Sequence, residues 1–168
     1  MALNDQGKLF SFGNDVYGQL GIASSNVSVK EPTKLSISMS QGPVIDFSCG
    51  EEHAAYIDAK GNCHTWGYGQ DGQLGHGAKE SLNTPKKLQF AHKVSQVKCG
   101  GGHTGIVTEG GALYLMGRGR DGQLGRGDST DSSATSRMEP TLVEFFDKLS
   151  VDQLALGSVH TIASAHPR

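Results

Sequence analysis

The residues best suited to chemistry in this chain are three histidines at matching places: His53, His103 and His160. Each follows a glycine by three residues, in the runs 49–53, 99–103 and 156–160. Histidine acts as a general base when a neighbouring group such as a carboxylate orients it. Glu52 precedes the first histidine, but Gly102 and Val159 fill that place in the other two copies. The pattern therefore predicts hydrogen bonds that hold a neighbouring loop, and no catalytic residue.

Two stretches, 67–72 and 117–122, match the Gly-X-Gly-X-X-Gly pattern of dinucleotide-binding loops. A dinucleotide site needs that pattern after a strand and at the start of a helix. Here each stretch leads into another glycine turn, and no Cys-X-X-Cys or His-X-X-X-His spacing indicates a metal. We therefore expect no cofactor, no metal and no enzymatic activity.

The elements that position these residues are set by a tetrapeptide that recurs about every 50 residues. The copies are Gly18-Gln19-Leu20-Gly21, Gly72-Gln73-Leu74-Gly75 and Gly122-Gln123-Leu124-Gly125. A period of this length is typical of propellers and solenoids. We expect the glycines to permit turns, the glutamine to hydrogen-bond loop backbone and the leucine to fill the base of the repeat.

Each repeat contains short strand-like runs and no convincing helix. Three runs between glycines align without gaps at 7–13, 61–67 and 111–117, with Phe12, Trp66 and Met116 predicted to face inward. A second set of runs begins at the histidines, and two more follow the tetrapeptide and a proline. Four strands per repeat is the make-up of a propeller blade. The expected fold class is all-β, with three four-stranded blade units.

Composition excludes several classes of function. The net charge is −2, so neither direct nucleic-acid binding nor binding to an acidic membrane is favoured. Three cysteines, an odd number, argue against a disulfide framework and predict buried, reduced thiols. The N-terminus lacks the features of a signal peptide, and no apolar run is long enough for a membrane span. We expect an intracellular protein, cytoplasmic or nuclear.

These motifs together resemble the RCC1 (regulator of chromosome condensation) repeat. That repeat reads as Cys-Gly-X-X-His, a hairpin, a strand ending in an aromatic residue and glycine, then Gly-Gln-Leu-Gly and a proline. The resemblance covers nearly the whole chain, although Leu156 replaces the usual cysteine. It implies one propeller segment over 1–168, with units at roughly 7–60, 61–110 and 111–164. In that family seven repeats close into a seven-bladed ring.

Three units are too few to close a ring, because propellers typically have about 4–8 blades. The chain enters a hairpin turn directly after Met1-Ala2-Leu3, and its last strand-like run, 161–164, lacks a partner strand. Two arrangements would complete the ring. The chain is a piece of a seven-bladed ring, or two copies exchange terminal strands to form a six-bladed homodimer.

Binding specificity in a repeat protein is expected where aligned repeats differ. Such positions are the pair 51–52, which aligns with Gly101-Gly102, and the loop 118–120, which differs from 68–70. A third is the Ser/Thr-rich segment 126–139. The binding candidates are Glu51, Glu52, Arg118, Arg120, Arg126, Asp128 and Arg137.

The favoured function is a non-catalytic scaffold or adaptor that binds proteins. The resemblance adds two alternatives: guanine nucleotide exchange on a Ran-like small GTPase, and chromatin or histone binding. No segment here matches the wedge-like insertion on which exchange depends in that family.

Overall fold

Short runs bounded by glycine turns fold into antiparallel β-sheets in the computed structural model of the chain. The structure describes residues 1–127 and 135–168. The strands in those ranges are β1 (Ala2–Leu3), β2 (Leu9–Asn14), β3 (Ser28–Lys34), β4 (Val44–Cys49), β5 (His53–Asp58), β6 (Cys63–Gly67), β7 (Leu82–Lys87), β8 (Val94–Cys99), β9 (His103–Thr108), β10 (Leu113–Gly117), β11 (Arg137–Leu142), β12 (Leu149–Leu156) and β13 (Thr161–Pro167). Single 3-10 turns lie at Met39–Gln41 and Glu144–Phe146. The predicted all-β fold class is confirmed.

Strand pairing divides the described chain into four sheets. Their orders are β1-β2-β3, β4-β5-β6-β7, β8-β9-β10-β11 and β12-β13, with all neighbours antiparallel. The four strands of one sequence repeat are shared between two sheets, because β2 and β3 lie in the first sheet and β4 and β5 in the second. Each repeat therefore ties one sheet to the next.

The first strands of successive sheets, β4, β8 and β12, lie beside one another at the inner edge. The backbone N–H of Cys99 donates to Ser48 Oγ at 2.9 Å, which joins β8 to β4. Gln96 Nε2 donates to the carbonyl of Asp152 at 2.7 Å, which joins β8 to β12. The sheets therefore radiate from a common inner edge, as the blades of a propeller do.

The Gly-Gln-Leu-Gly segments form tight turns after the third strand of each blade. All six of their glycines have φ between +60° and +84°, a region that side chains rarely adopt. In the second copy, Gly75 N donates to Gly72 O at 3.1 Å, and Gln73 Oε1 accepts from Asp71 N at 3.0 Å. Leu74 is buried below the turn. The first and third copies repeat these bonds.

Two junctions, between the first and second sheets and between the second and third, are each filled by one large side chain from the third strand of a blade. Trp66 of the second sheet packs with Leu9 and Leu35 of the first, and a Cβ on Gly21 would lie 2.5 Å from its indole nitrogen. Met116 of the third sheet packs in the same way with Cys63 and Leu88 of the second, directly over Gly75. We call the depression over the second turn glycine the slot, and the residue that enters it the knob.

Phe12 does not face inward as predicted. Its side chain is 45% exposed, whereas the equivalent Trp66 and Met116 are fully buried. A knob enters the slot of the preceding sheet, and Phe12 belongs to the first sheet. No sheet in the described ranges presents a slot to it.

Cys49 also departs from its prediction, because its side chain is exposed while Cys63 and Cys99 are buried; all three are free thiols. Cys99 faces the second sheet and belongs to that core. Cys49 occupies the same place on β4, facing the first sheet. Among the described residues that sheet consists of β1–β3, and it has no inner strand to cover the thiol.

The tight knob-and-slot contact predicts a position-specific cost for Gly75→Ala. The variant adds left-handed strain of about 1 kcal/mol and overpacking of about 1–3 kcal/mol against the Met116 knob. Gly77→Ala is the matched control, since Gly77 has φ +80° against +77° but meets only the carboxylate tip of Glu139. Urea unfolding of both variants measures the difference. Equal losses would show that the knob does not constrain the turn.

Candidate interaction face

The repeat histidines cross the junctions between blades. His53 Nε2 lies 2.8 Å from Thr104 Oγ1 of the next sheet, and His103 Nε2 lies 3.0 Å from Thr161 Oγ1. Each threonine hydroxyl also donates to a turn carbonyl: Thr104 to Gln73 O at 2.7 Å, and Thr161 to Gln123 O at 2.8 Å. We call this arrangement the His–Thr–Gln link. Each link joins the histidine of one blade to the threonine of the next blade. That threonine in turn contacts the glycine turn of the first blade.

The link fixes which ring nitrogen of each histidine carries a proton, and burial keeps both rings neutral. Because a hydroxyl has one proton, which the threonine gives to the carbonyl, the threonine accepts from the histidine Nε2–H. Burial, together with a smaller effect of the nearby His103, lowers the pKa of His53 to about 3. Burial also lowers the pKa of His103 to about 4. Both rings are neutral at pH 7 and inaccessible, so they support structure rather than proton transfer with a substrate.

At the junction between the first and second sheets, the carbonyl of the glycine turn also accepts a hydrogen bond, but from a different kind of residue. Ala54 stands where the later blades have Thr104 and Thr161, and it has no hydroxyl. Trp66 Nε1 donates to Gln19 O at 2.9 Å instead. The knob of this junction therefore supplies the hydrogen bond that a threonine supplies at the other two.

The third predicted histidine, His160, is exposed and lies beside an apolar cavity of about 250 Å³. His160 crosses no junction between described sheets, because β12 and β13 are the last described strands. The structure thus separates His160 from the buried pair, although the sequence treats the three alike.

Loops at the histidine end of the sheets bring side chains from different repeats together. Arg118 Nη2 lies 2.5 Å from Asp71 Oδ2, and this ion pair raises the pKa of the guanidinium above its ordinary value. Tyr17 and Tyr68 form an edge-to-face pair with ring centroids 5.0 Å apart. Both pairs cross a junction between neighbouring blades.

The acidic loop after β4 lies on the same side. Ser158 Oγ donates to Glu51 Oε1 at 2.6 Å, which connects the second and fourth sheets. The backbone carbonyl of Glu52 accepts from Tyr68 N at 2.8 Å. Glu51 also acts electrostatically on Arg118. We define the interaction face as Tyr17, Glu51, Tyr68, Asp71 and Arg118.

An open groove of about 650 Å³ continues this face between the first and second sheets. Its lining includes Val16, Tyr17 and Val27, which are 55%, 41% and 69% exposed, together with Glu80 and Asn83. Large apolar side chains exposed around a concave surface mark sites of protein contact more often than isolated ones do.

The predicted binding residues fall into separate places. Glu51 and Arg118 lie on the interaction face, and Glu52 follows Glu51 in the same loop. Arg120 is exposed two residues beyond Arg118. Arg126 lines a different cavity with Glu144 and Phe145. Arg137 opens β11, opposite Gly117, and donates to Ser136 O at 3.0 Å. Asp128 lies outside the described residues.

Sequence reasoning missed Tyr17, Tyr68, Asp71 and Ser158. A signal for the first three exists in the aligned repeats. The residue before the glycine turn of one blade meets the residue after the Gly-bounded strand of the next, giving Tyr17 with Tyr68 and then Asp71 with Arg118. Comparing such offset positions would have shown a matched aromatic pair and a matched ion pair.

Radiating antiparallel sheets, with repeats that straddle them, place this chain in the class of β-propeller proteins. The chain belongs to the RCC1 family: the family model "Regulator of chromosome condensation (RCC1) repeat" matches residues 6–57, 60–107 and 110–164. A second model of the same repeat matches residues 44–73. The expectation drawn from the repeated motifs is confirmed.

Known proteins share the repeat over part of their length. Mouse serine/threonine-protein kinase Nek9 is 34% identical over 89 residues, which is 52% of this chain and 9% of the kinase. The crystal structure of human WBSCR16 is 26% identical, with a TM-score of 0.84 over 99% of this chain and 42% of its own. The crystal structure of Prp20p from Saccharomyces cerevisiae, described with its binding to Gsp1p and histones, is 20% identical, with a TM-score of 0.88 over 99% and 41%.

The chain therefore spans about two fifths of those solved structures. The likeness to Prp20p, at that identity, shows the fold alone. Within the described ranges, no helix has the length and apolar character that crossing a membrane requires.

The buried link predicts that acid destabilises the fold. Below pH 6.5 the unfolded chain takes up protons that His53 and His103 cannot accept until about pH 3 and 4, so stability falls as the pH drops from 6.5. Two such histidines cost roughly 2–3 kcal/mol at pH 5.5 relative to pH 7. Urea unfolding at both pH values measures this loss.

Two variants test whether the loss of stability in acid comes from the His–Thr–Gln link. Burial also lowers the pKa of His64 and His76, so comparison between variants is needed. His103→Gln should be less stable at pH 7 but lose less on acidification, while the exposed control His92→Gln should lose as much as the native chain. An unchanged acid loss in His103→Gln would contradict the buried neutral ring.

Proposed function

We propose that this chain is a non-catalytic RCC1-type module that binds another protein on its interaction face. The observation that carries the proposal is the continuous surface formed by the 650 Å³ groove, the Tyr17–Tyr68 pair and the Asp71–Arg118 ion pair. Tyrosine and arginine are the residue types that dominate binding energy at protein interfaces. The His–Thr–Gln links hold the blades beneath this surface.

The charges of the face indicate the chemistry of the partner. Asp15 and Glu80 line the groove, Glu51 lies on the interaction face, and Arg118 is already paired with Asp71. A segment with apolar side chains flanked by lysine or arginine complements this pattern, because opposite charges across an interface favour encounter and register.

We propose an intracellular location, since Cys49, Cys63 and Cys99 are free thiols. The two other functions raised by the family, exchange on a Ran-like GTPase and histone binding, remain alternatives to be tested directly. The buried state of His53 and His103 supports a module without chemistry of its own.

We also propose that the chain associates with a second copy of itself through its terminal strands. The outer edge of β13 is unpaired within the described ranges, and β1 covers only Leu9 and Phe10 of β2. Unpaired edges of this kind are templates for strand addition. A β13 from a second copy against β2 would give six blades in two chains.

Substitutions on the face test the protein-binding proposal. Tyr17→Ala combined with Val27→Ser removes two exposed side chains and should weaken capture of a specific partner about tenfold or more, equivalent to about 1.4 kcal/mol. Phe145→Ser is the matched control, because Phe145 is 79% exposed and lies outside the groove. Proteins captured from cell extract are quantified by mass spectrometry for all three forms.

Purified Ran-like GTPase and histones are included in the same comparison. Equal capture by the native, double-variant and control forms would contradict the proposal that a partner binds on the interaction face. Accelerated release of labelled GDP from the GTPase would replace the scaffold with the exchange-factor alternative.

A further inference from the structure

The slot of the third sheet contains no knob from any described residue. In the second sheet, a Cβ on Gly75 would meet Met116 and Leu88. In the third sheet, the equivalent Gly125 would meet only Val143 among the described residues, at 3.5 Å. The space beside it is the cavity of about 250 Å³, lined by Leu113, Leu115, Gln123, Gly125, Val143 and Thr161 among others.

The chain also carries a knob that no described slot receives. Phe12 aligns with Trp66 and Met116, and its ring is 45% exposed although both of them are buried. Isolated exposed apolar residues are ordinary on protein surfaces. Here the exposed residue is the one whose two counterparts complete junctions.

We propose that the 250 Å³ cavity of the third sheet is the binding site for Phe12 of a second copy of this chain. The proposal rests on the terminal-strand association proposed above and names the contact that makes it specific. In the resulting ring, β2 and β3 of one copy complete the sheet that β12 and β13 begin in the other.

Strand register brings the two features to the same place. In complete blades the knob lies opposite the second residue of the histidine strand: Trp66 opposite Ala54, and Met116 opposite Thr104. The equivalent residue of β13 is Thr161, which lines the cavity. A β13 that pairs with β2 of a second copy in this register sets Phe12 against Thr161, at the mouth of the slot. The incoming strand displaces β1, which has only two residues.

The slot suits an aromatic ring. At the position where the first and second sheets have Ser11 and Thr65, the third has Leu115, so its wall is more apolar. An apolar cavity of about 150 Å³ accepts benzene, and this one is about 250 Å³. The ring buries an apolar surface that is exposed in the single chain, which favours association.

A polar pair at the same junction points to the same occupant. The offset positions that hold Tyr17 with Tyr68, and Asp71 with Arg118, would next hold Asp121 with Asn14 of the second copy. Asn14 Oδ1 already accepts from Val16 N at 3.1 Å and from Gln19 Nε2 at 2.9 Å. Its amide nitrogen is thereby oriented as a donor, and the exposed carboxylate of Asp121 is an acceptor.

Phe12→Trp provides a direct optical test. The native chain has one tryptophan, Trp66, which is fully buried, so any additional emission reports position 12. We expect this emission to shift to shorter wavelength as protein concentration rises, in step with conversion from monomer to dimer in sedimentation velocity. A dimer in which the indole introduced at position 12 still emits as a solvent-exposed group would overturn the proposal.

Phe12→Asp tests the energetic role of the knob. A charge in an apolar slot should weaken dimerisation at least about a hundredfold, while circular dichroism stays native because the residue is exposed in the single chain. Val27→Asp adds the same charge at an exposed residue of the other groove and should dimerise like the native chain. Should Phe12→Asp dimerise normally, the cavity is not the Phe12 site, although strand pairing could survive.

Native protein that remains monomeric at all concentrations overturns both the strand association and the cavity assignment. That result leaves the partner-binding face intact, since partner capture by the Tyr17 and Val27 variants is measured independently. The failures of the two proposals are therefore distinguishable.

Discussion

The fold depends on the insertion of one large side chain from each blade into a glycine-lined slot of the blade before it. Trp66 and Met116 do this at the two complete junctions, and each packs where a Cβ on the turn glycine would collide. The contact requires both the positive φ of the turn and the absence of a side chain there. The propeller is therefore held by a repeated backbone conformation as much as by apolar area.

Polar groups at the junction are arranged around that contact. The histidine ring of one blade donates to a threonine of the next, whose hydroxyl returns to the turn carbonyl of the first. Ala54 breaks the pattern, and the indole of Trp66 restores the carbonyl's hydrogen bond. The junction thus tolerates exchange of residues as long as the buried carbonyl is satisfied, which explains why a repeat can vary while its geometry persists.

Much of the fold could be predicted from the chain because it rests on local, repeated requirements. Glycines at fixed places, strand-length runs and a recurring histidine indicate blades without knowledge of any contact. Less of the candidate site could be predicted from the sequence. Glu51 and Arg118 were found as points where repeats differ, but Asp71 and Tyr68 were not, because their roles arise from neighbours about 50 residues away. Those pairings depend on how one blade is offset from the next.

The repeat, the all-β class and the positions that must be glycine can be read from the amino-acid order, since these follow from backbone conformation and period. Which copies of a repeated residue are buried depends on the packing of one sheet against the next. Phe12 and His160 are indistinguishable in the alignment from Trp66 and His103, yet they lie exposed. Burial is a property of what packs against a residue, and a repeat leaves its neighbour unspecified at each end of the array. The exposed Phe12 and the slot at Gly125, which no described residue enters, are the physical consequence.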